Sequence, residues 1–572
     1  MTVLERAMPL SPATALRRPR IKLEHAVMGA AIVALVVLIV LPLASLVVGS
    51  VTAEGQLSAE NFTRIAERRL YYQALINSLV LGAWTGLFSL LIGLPLAWAV
   101  TRTNTPGRRF LKVTASIAYL TPPFLTAIAY VYLFGPNAGT ANIFLRDTLG
   151  LGFLTFNIFS MQGLVLVTVL HTFPFVYLLA ASALESVDAS YEESAQILGA
   201  GRWRTALRIT APLVAPAVLS GTLLAFVNAI ALFGSQAIIG IPDRIYTLPT
   251  RIYALFDHPP QYGLASALSL VFVAITVVAL LLQRAYLARR SYVTLAGKGS
   301  RPQRIDLGRA RYAVLAFGAV VFVFAVAAPY LALIGTSLVQ SVGLALAENA
   351  TLKHYRFILF EYDVTQRAIV NSLILAALAA TIAVLIGAVI GWIDLRTRAW
   401  GRKILDYVAL VPLGLPGIVM AVALIQFWLA TPFALYGTLG ILLLAYVARY
   451  VPLGVRAANS SLRQVDTSLE ESARILGASW ATTLRHITLP LIRPGLVAGW
   501  VLVFVPAIQE LSASILLFSS SSITVAVAIY NLYETGYVEP VAALAIINML
   551  IIGAAIWIAQ RFGRGPVPRS EG

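Results

Sequence analysis

Twelve apolar stretches, each about as long as a bilayer is thick, leave this chain few ways to fold. They fall at 26–49, 74–101, 113–134, 161–183, 213–238 and 263–287, then at 312–338, 368–395, 406–429, 437–457, 491–517 and 538–561. Crossing about 30 Å of hydrocarbon takes roughly 20 helical residues. With no water there to satisfy backbone amides, only helices and closed barrels can span it. A soluble core could not absorb the same surface, because single soluble cores stop growing near about 250–300 residues. Of the 572 residues 59% are hydrophobic and only 12% charged, against about 25% charged in soluble domains. The expectation is an all-α membrane protein of about 12 spans, with the lipid bilayer as its solvent.

The formal net charge of +17 would point to nucleic acid if it lay on one face. Instead the cations form short runs between the apolar stretches, and no nucleic-acid partner is expected. Segments 1–25, 102–112, 184–210, 284–311, 396–403, 456–493 and 561–572 hold 32 of the 42 Lys and Arg. The positive-inside rule then puts these segments, and with them both termini, in the cytoplasm. The run from Ala26 to Val48 is too long for the roughly 7–15 apolar residues of a signal peptide, and reads as the first span. Cysteine is absent, which excludes disulfides, thiolate metal sites and cysteine nucleophiles.

The two sets of six spans repeat one another. Ala74-Leu-Ile-Asn77-Ser78-Leu79 recurs as Ala368-Ile-Val-Asn371-Ser372-Leu373, and Arg102, Gly107, Arg108 and Pro122 meet Arg396, Gly401, Arg402 and Pro416 at the same spacing. Further on, Glu192-Glu193-Ser194-Ala195 recurs as Glu470-Glu471-Ser472-Ala473, with a longer outer loop near 135–160 accounting for the changed offset. Both copies run the same way through the membrane, so the repeat is parallel. The expected organisation is a tail 1–25, a six-helix unit 26–288, a linker 289–311, a second unit 312–561 and a tail 562–572.

Two stretches between spans four and five, and between ten and eleven, carry the strongest functional signal. The first runs from Glu192 through Ala195, Gly199 and Ile209 to Pro212; the second from Glu470 through Ala473, Gly477, Ile487 and Leu489 to Pro490. Asp188 or Ser190, and Asp466 or Thr467/Ser468, look like helix starts, with the acids at the positive end of the dipole. Ala195 and Gly199, four apart, share a face that permits close approach, and Gly199 also favours ending the helix. A second short helix with Trp203 or Trp480 should follow, closed by the proline.

This arrangement resembles the EAA loop of binding-protein-dependent ABC importer permeases: Glu-Ala-Ala, three residues, Gly, nine residues, then Ile-x-Leu-Pro. The spacing matches in both copies, with Ser194 and Ser472 for the middle Ala and Ala211 for Leu in the first. The resemblance implies ATPase-coupling roles for Glu192, Glu193, Ser194, Ala195, Gly199, Ile209 and Pro212, and for Glu470, Glu471, Ser472, Ala473, Gly477, Ile487, Leu489 and Pro490. It also implies a bacterial inner-membrane location, two copies of a cytoplasmic ABC ATPase subunit and a periplasmic substrate-binding protein. Asn77-Ser78 and Asn371-Ser372 resemble the Asn-Ser opening of that permease domain, and the segment Phe233–Gly240 with Thr250-Arg-Ile-Tyr253, together with Glu510–Leu517, is similar to fused ferric iron-type permeases. Importers of thiamine, phosphonates, polyamines and sulfate share those features.

Polar groups inside spans are costly and face cavities. His171 and its repeat equivalent Arg449 each precede a proline by three residues; they, with Asn228, Gln509 and Glu510, are the expected translocation pathway. Pro122, Pro123 and Pro416 should kink spans three and nine. Gly297-Lys298-Gly299-Ser300 lacks the pattern of a phosphate loop, so ATP hydrolysis would fall to partner subunits and the chain is no enzyme. The five histidines are scattered, and neither a metal site nor a cofactor is expected. The rival reading is a self-contained six-plus-six secondary transporter, for which Glu510 would be the one clear coupling acid.

Overall fold

The computed structural model describes residues 23–53, 55–288, 304–341, 349–397 and 399–562. Both expected tails, and the linker as far as residue 303, fall largely outside that set. Among the described residues the chain is helical apart from loops and one hairpin of two-residue strands, Thr52–Ala53 with Gln56–Leu57. Ten helices are long and apolar enough to cross a membrane, and two bent helix pairs bring the number to 12. The fold is all-α, two tandem parallel six-helix units.

The bent pairs are spans three and nine. Arg108–Leu120 meets Pro123–Phe134 at 99°, and Arg402–Gly414 meets Gly417–Leu429 at 113°. The residue before a proline is driven out of helical geometry, and Thr121 and Leu415 sit at ψ 125 and 122. The sequence places these breaks correctly but promises only a kink; the chain turns through about a right angle. Spans five and eleven are also shorter than expected. Their helices end at Ala231 and Ile508, and the residues beyond form short separate helices, Gly234–Gly240 and Ser514–Leu517.

Four other prolines are accommodated inside continuous helices by one device. A π turn ends two residues ahead of each: Val36–Val40 before Pro42, Ala206–Thr210 before Pro212, Val323–Ala327 before Pro329, Leu484–Thr488 before Pro490. A proline ring collides with the carbonyl four residues back and brings no N–H to it. Widening the turn to i→i−5 bonding moves that carbonyl aside. Pro212 and Pro490 therefore do not close the second short helix of each loop, as the sequence suggested. The short helix runs through the π turn straight into the span.

Close packing comes from small residues, as in other membrane helices. A Cβ on Gly93 would lie 2.7 Å from the Phe173 carbonyl oxygen, and one on its equivalent Gly387 would lie 2.3 Å from the carbonyl carbon of Gly454. The repeated Asn-Ser pairs are clamps. Ser78 Oγ accepts from Leu248 N and Ser372 Oγ from Val525 N, both at 2.8 Å. Asn77 donates to the Tyr246 carbonyl and Asn371 to that of Ile523. Each pair fixes the start of a short helix, Leu248–Ala254 or Val525–Glu534.

Candidate functional sites: twin loops and a central cavity

Each loop begins with a capped helix. Asp188 Oδ1 accepts from Ser190 N and Asp466 Oδ1 from Ser468 N, both at 2.9 Å, so the aspartates are the N-caps. The Ser468 N–H holds the Asp466 carboxyl below the usual carboxylate range. Ala189–Ile197 and Thr467–Ile475 then stop in the same way. Gly199 and Gly477 take φ +81 and +86, while Ala200 N reaches back to Ala195 O and Ala478 N to Ala473 O, both at 2.9 Å. That is a Schellman stop, and a left-handed residue there favours glycine. A Cβ on either glycine would meet nothing within 4 Å. Ala195 and Ala473 are buried, so only the alanine supports close approach; the glycine terminates.

The two glutamates of each pair face opposite ways. Glu193 and Glu471 are exposed, while Glu192 and Glu470 are buried. Glu192 Oε2 pairs with Arg102 Nη1 at 3.1 Å and Glu192 Oε1 accepts from Thr210 Oγ1 at 2.7 Å. Arg102 Nη2 also donates to the Leu184 and Val187 carbonyls, at 2.7 and 3.1 Å. The second copy repeats this. Arg396 Nε pairs with Glu470 Oε1 at 3.3 Å, Thr488 Oγ1 donates to Glu470 at 2.9 Å, and Arg396 Nη2 donates to Leu462 O and Val465 O.

One arginine thus ties the ends of spans two and four to the loop helix, and the threonine adds the start of span five. The arginines and threonines went unassigned from sequence, although Arg102 and Arg396 are repeat equivalents and Thr210 and Thr488 fill the variable place in Ile-x-Leu-Pro. Ile209 and Ile487 are half-buried beside them, with Pro212 half-buried and Leu489 and Pro490 exposed.

At the free end of each loop helix two apolar side chains stand in the open. Ile197 and Leu198 are each 86% exposed, Ile475 85% and Leu476 87%. Ser194 and Ser472 lie on this exposed face as well.

His171, Asn228, Arg449, Gln509 and Glu510 all line one cavity of about 190 Å³, walled by residues of both halves. Gln509 and Glu510 are not inside a span as expected; they follow the last residue of Leu489–Ile508. Irregular backbone at membrane depth is tolerated where it lines a cavity, and the freed carbonyls are capped by side chains. Gln509 donates to Leu120 O at 3.1 Å, Gln236 to Ala229 O at 2.7 Å, Tyr450 to Pro506 O at 3.1 Å and Thr276 to Gly414 O at 2.8 Å.

Glu510 is fully engaged. Its Oε2 takes Arg449 Nε at 2.9 Å and the Tyr450 hydroxyl, and its Oε1 takes Ala513 N at 3.0 Å. Arg449 lies on bare backbone: a Cβ on Gly417 would be 2.6 Å from Nη1. Asn228 donates to Leu224 O of its own helix. His171 sets its ring edge-on to Phe175, and its Nδ1 is buried with no hydrogen-bond partner among the described residues. Tyr450 went unnoticed in the sequence; its neighbour Arg449 was the available signal, since a buried tyrosine hydroxyl seeks a polar partner.

A family model described as "Binding-protein-dependent transport system inner membrane component" matches residues 89–292 and again 383–566. The chain belongs to that family. It carries the permease domain twice in one polypeptide and is a multi-pass inner-membrane permease of the ABC importer type, a class that works with ATPase and binding-protein partners. The "Ferric transport system permease protein FbpB" of Actinobacillus pleuropneumoniae is 27% identical over 522 residues, 90% of this chain and 74% of that protein. The "Fe(3+)-transport system permease protein FbpB 2" of Haemophilus influenzae is 23% identical, covering 86% of this permease and 90% of its own length. The "Molybdenum transport system permease protein ModB" of Escherichia coli K12 is 32% identical over 222 residues, 38% of this permease and 94% of that chain. Among solved structures, a bacterial ABC transporter involved in alginate import aligns with 44% of the permease and 94% of its own chain, at 18% identity and a TM-score of 0.37.

Proposed function

We propose that the permease forms the translocation path of an importer for ferric iron or a similar small solute, handed over by a periplasmic binding protein. In this reading the two loops seat on two copies of a cytoplasmic ABC ATPase, both termini are cytoplasmic, and units 26–288 and 312–561, joined by the linker 289–311, move against each other. ATP binding and hydrolysis in the partner drive the loops, and the loops drive the spans.

The observation that carries it is the pair of matched loop tips. Leaving a large aliphatic side chain in water forgoes roughly 1.5–3 kcal/mol, and here four are left out, two per loop, at equivalent positions. A surface of that kind fits a partner. The frame behind each tip fits a lever, because the buried arginine joins the loop helix to spans two and four in the first unit and to spans eight and ten in the second. Ser194, Gly199, Ser472 and Gly477 keep the tip narrow, and Glu193 and Glu471 give it an outward charge. The cavity fits the path, with His171, Asn228, Arg449, Gln509 and Glu510 around it.

Iron is preferred because three relatives that align along more than four-fifths of the chain are named for ferric transport, while the relative named for molybdenum aligns with 38% of it. The test is to replace Glu193 and Glu471 by lysine, and separately Ile197 and Ile475 by aspartate. Capture of the ATPase and uptake of radiolabelled ferric iron are then measured in cells. Loss of both is expected; unchanged capture and uptake in all variants would overturn the coupling role. Uptake of thiamine, a phosphonate, a polyamine or sulfate, with no iron uptake, would keep the coupling role and replace the substrate.

A further inference from the structure

We propose that the second unit binds an anionic glycerophospholipid in a groove on its lipid-facing flank, with the headgroup phosphate on Arg493. The groove holds about 520 Å³ between the helices Leu489–Ile508, Asp363–Arg396 and Val538–Phe562, and its walls include Leu373, Trp500, Phe504, Ala555 and Ile558. The wall is apolar except at one end, where Arg493 stands exposed. Among the described residues the Arg493 guanidinium makes no ion pair or hydrogen bond.

Length and charge identify the occupant. From Arg493 to Phe504 is eleven residues of helix, about 16 Å at 1.5 Å per residue. One leaflet of a core about 30 Å thick is about 15 Å deep, so the groove fits an acyl chain of the leaflet on the Arg493 side. The distribution of Lys and Arg assigns that side to the cytoplasm, where anionic lipid headgroups attract clustered cations. A second cation follows on the neighbouring helix. Ile551, Ala555 and Ile558 form a stripe that Arg561 continues by one turn, and Arg561 lies over the Trp557 ring at 5.4 Å. Tryptophan beside a cation marks headgroup depth.

The first unit supplies a contrast. It has an apolar groove of about 540 Å³ lined by Trp84, Phe88, Val165 and Val169, with no charged residue on its wall. That groove lies between spans two and four and is not the repeat counterpart of the Arg493 groove; at the repeat position of Arg493 the first unit carries Ala215. That groove should take lipid chains without regard to headgroup. The proposal stands apart from the transport reading, since it concerns the flank and not the cavity.

The test is native mass spectrometry of the full-length purified permease with added phosphatidylglycerol or phosphatidylethanolamine of identical chains. The permease is expected to retain phosphatidylglycerol preferentially. Arg493→Gln and Arg561→Gln should each cut that retention by roughly fivefold, leaving phosphatidylethanolamine unchanged. Ala555→Trp, which fills the groove and keeps both charges, should also remove the preference. Equal retention of the two lipids by the unaltered permease would overturn the proposal, as would undiminished phosphatidylglycerol retention in the doubly substituted protein or in Ala555→Trp.

Discussion

Arg102 is the largest side chain among those buried to within 2%, and its position explains more of the loop than any motif residue does. A guanidinium in that setting is tolerable only because Glu192 and two carbonyls meet it. Breaking such a pair from one side leaves an uncompensated buried charge, at a cost of about 3–5 kcal/mol, whereas replacing both partners by apolar residues is often neutral. Glu192→Ala should therefore lower the temperature at which the purified permease loses monodispersity, and Arg102→Met with Glu192→Leu should recover most of the loss. A double variant as unstable as the single one would show that the loop is held by something other than this pair. At the start of the second loop the linkage has a defined sign. The Asp466 carboxylate has a lowered folded-state pKa, so its capping contribution is complete above the ordinary aspartate value of about 3.9 and fades as pH falls through the lower folded value. Hydrogen exchange at the first amides of Thr467–Ile475, normalised to intrinsic rates, should rise on acidification in the natural chain. In Asp466→Ala it should be high already at neutral pH.

Helices, not residues, were what the sequence reported best, and the reason lies in how hydropathy is read. An apolar run of about 20 residues implies a span without saying whether it is one helix. Gln509 and Glu510 break span eleven between apolar neighbours, so a window of span length averages over them. Pro122 and Pro416 could be located because proline acts on the residue just before it. The size of each turn depends on packing that no local pattern carries. Arg102 and Arg396 were visible as repeats, but the partner of Arg102 lies 90 residues away, beyond any spacing rule. The same limit applies to crossings. Gly387 meets Gly454, while its equivalent Gly93 meets the stretch around Val176, so the second unit has the tighter contact. Gly454→Val would place in the second unit the residue that the first unit carries. A Cβ on Gly454 would stand 2.3 Å from the Ala383 carbonyl oxygen, so the helices must separate, with a destabilisation of about 1–3 kcal/mol. The expected outcome is a lower thermal midpoint for Gly454→Val, with Val176→Ala in the first unit much milder. Equal loss from both would mean that the two crossings are equivalent after all.

Across the whole molecule the two units are interleaved, not merely apposed. Tyr130 of the first donates to Phe324 O of the second and Tyr132 to Val538 O, both at 2.8 Å, while Tyr533 of the second donates to Ile238 O of the first. None of these residues lines the cavity, whereas Gln509 to Leu120 O crosses between units at its very wall. If the units rock to open that cavity to one side and then the other, the Gln509 contact is among the first that must part. Most of the remaining links could persist as a hinge. Because the chain contains no cysteine, thiols placed at 120 and 509 would be unique. Leu120→Cys with Gln509→Cys, joined by a short reducible bifunctional thiol reagent, should stop uptake, and reduction should restore it. Each single cysteine variant should be indifferent to the reagent. Hydrolysis by the bound ATPase should fall with uptake, since a lever whose far end is fixed also resists motion at the near end. Continued uptake through fully joined units would mean that the solute passes elsewhere, and the cavity would then be a packing defect between two rigid halves.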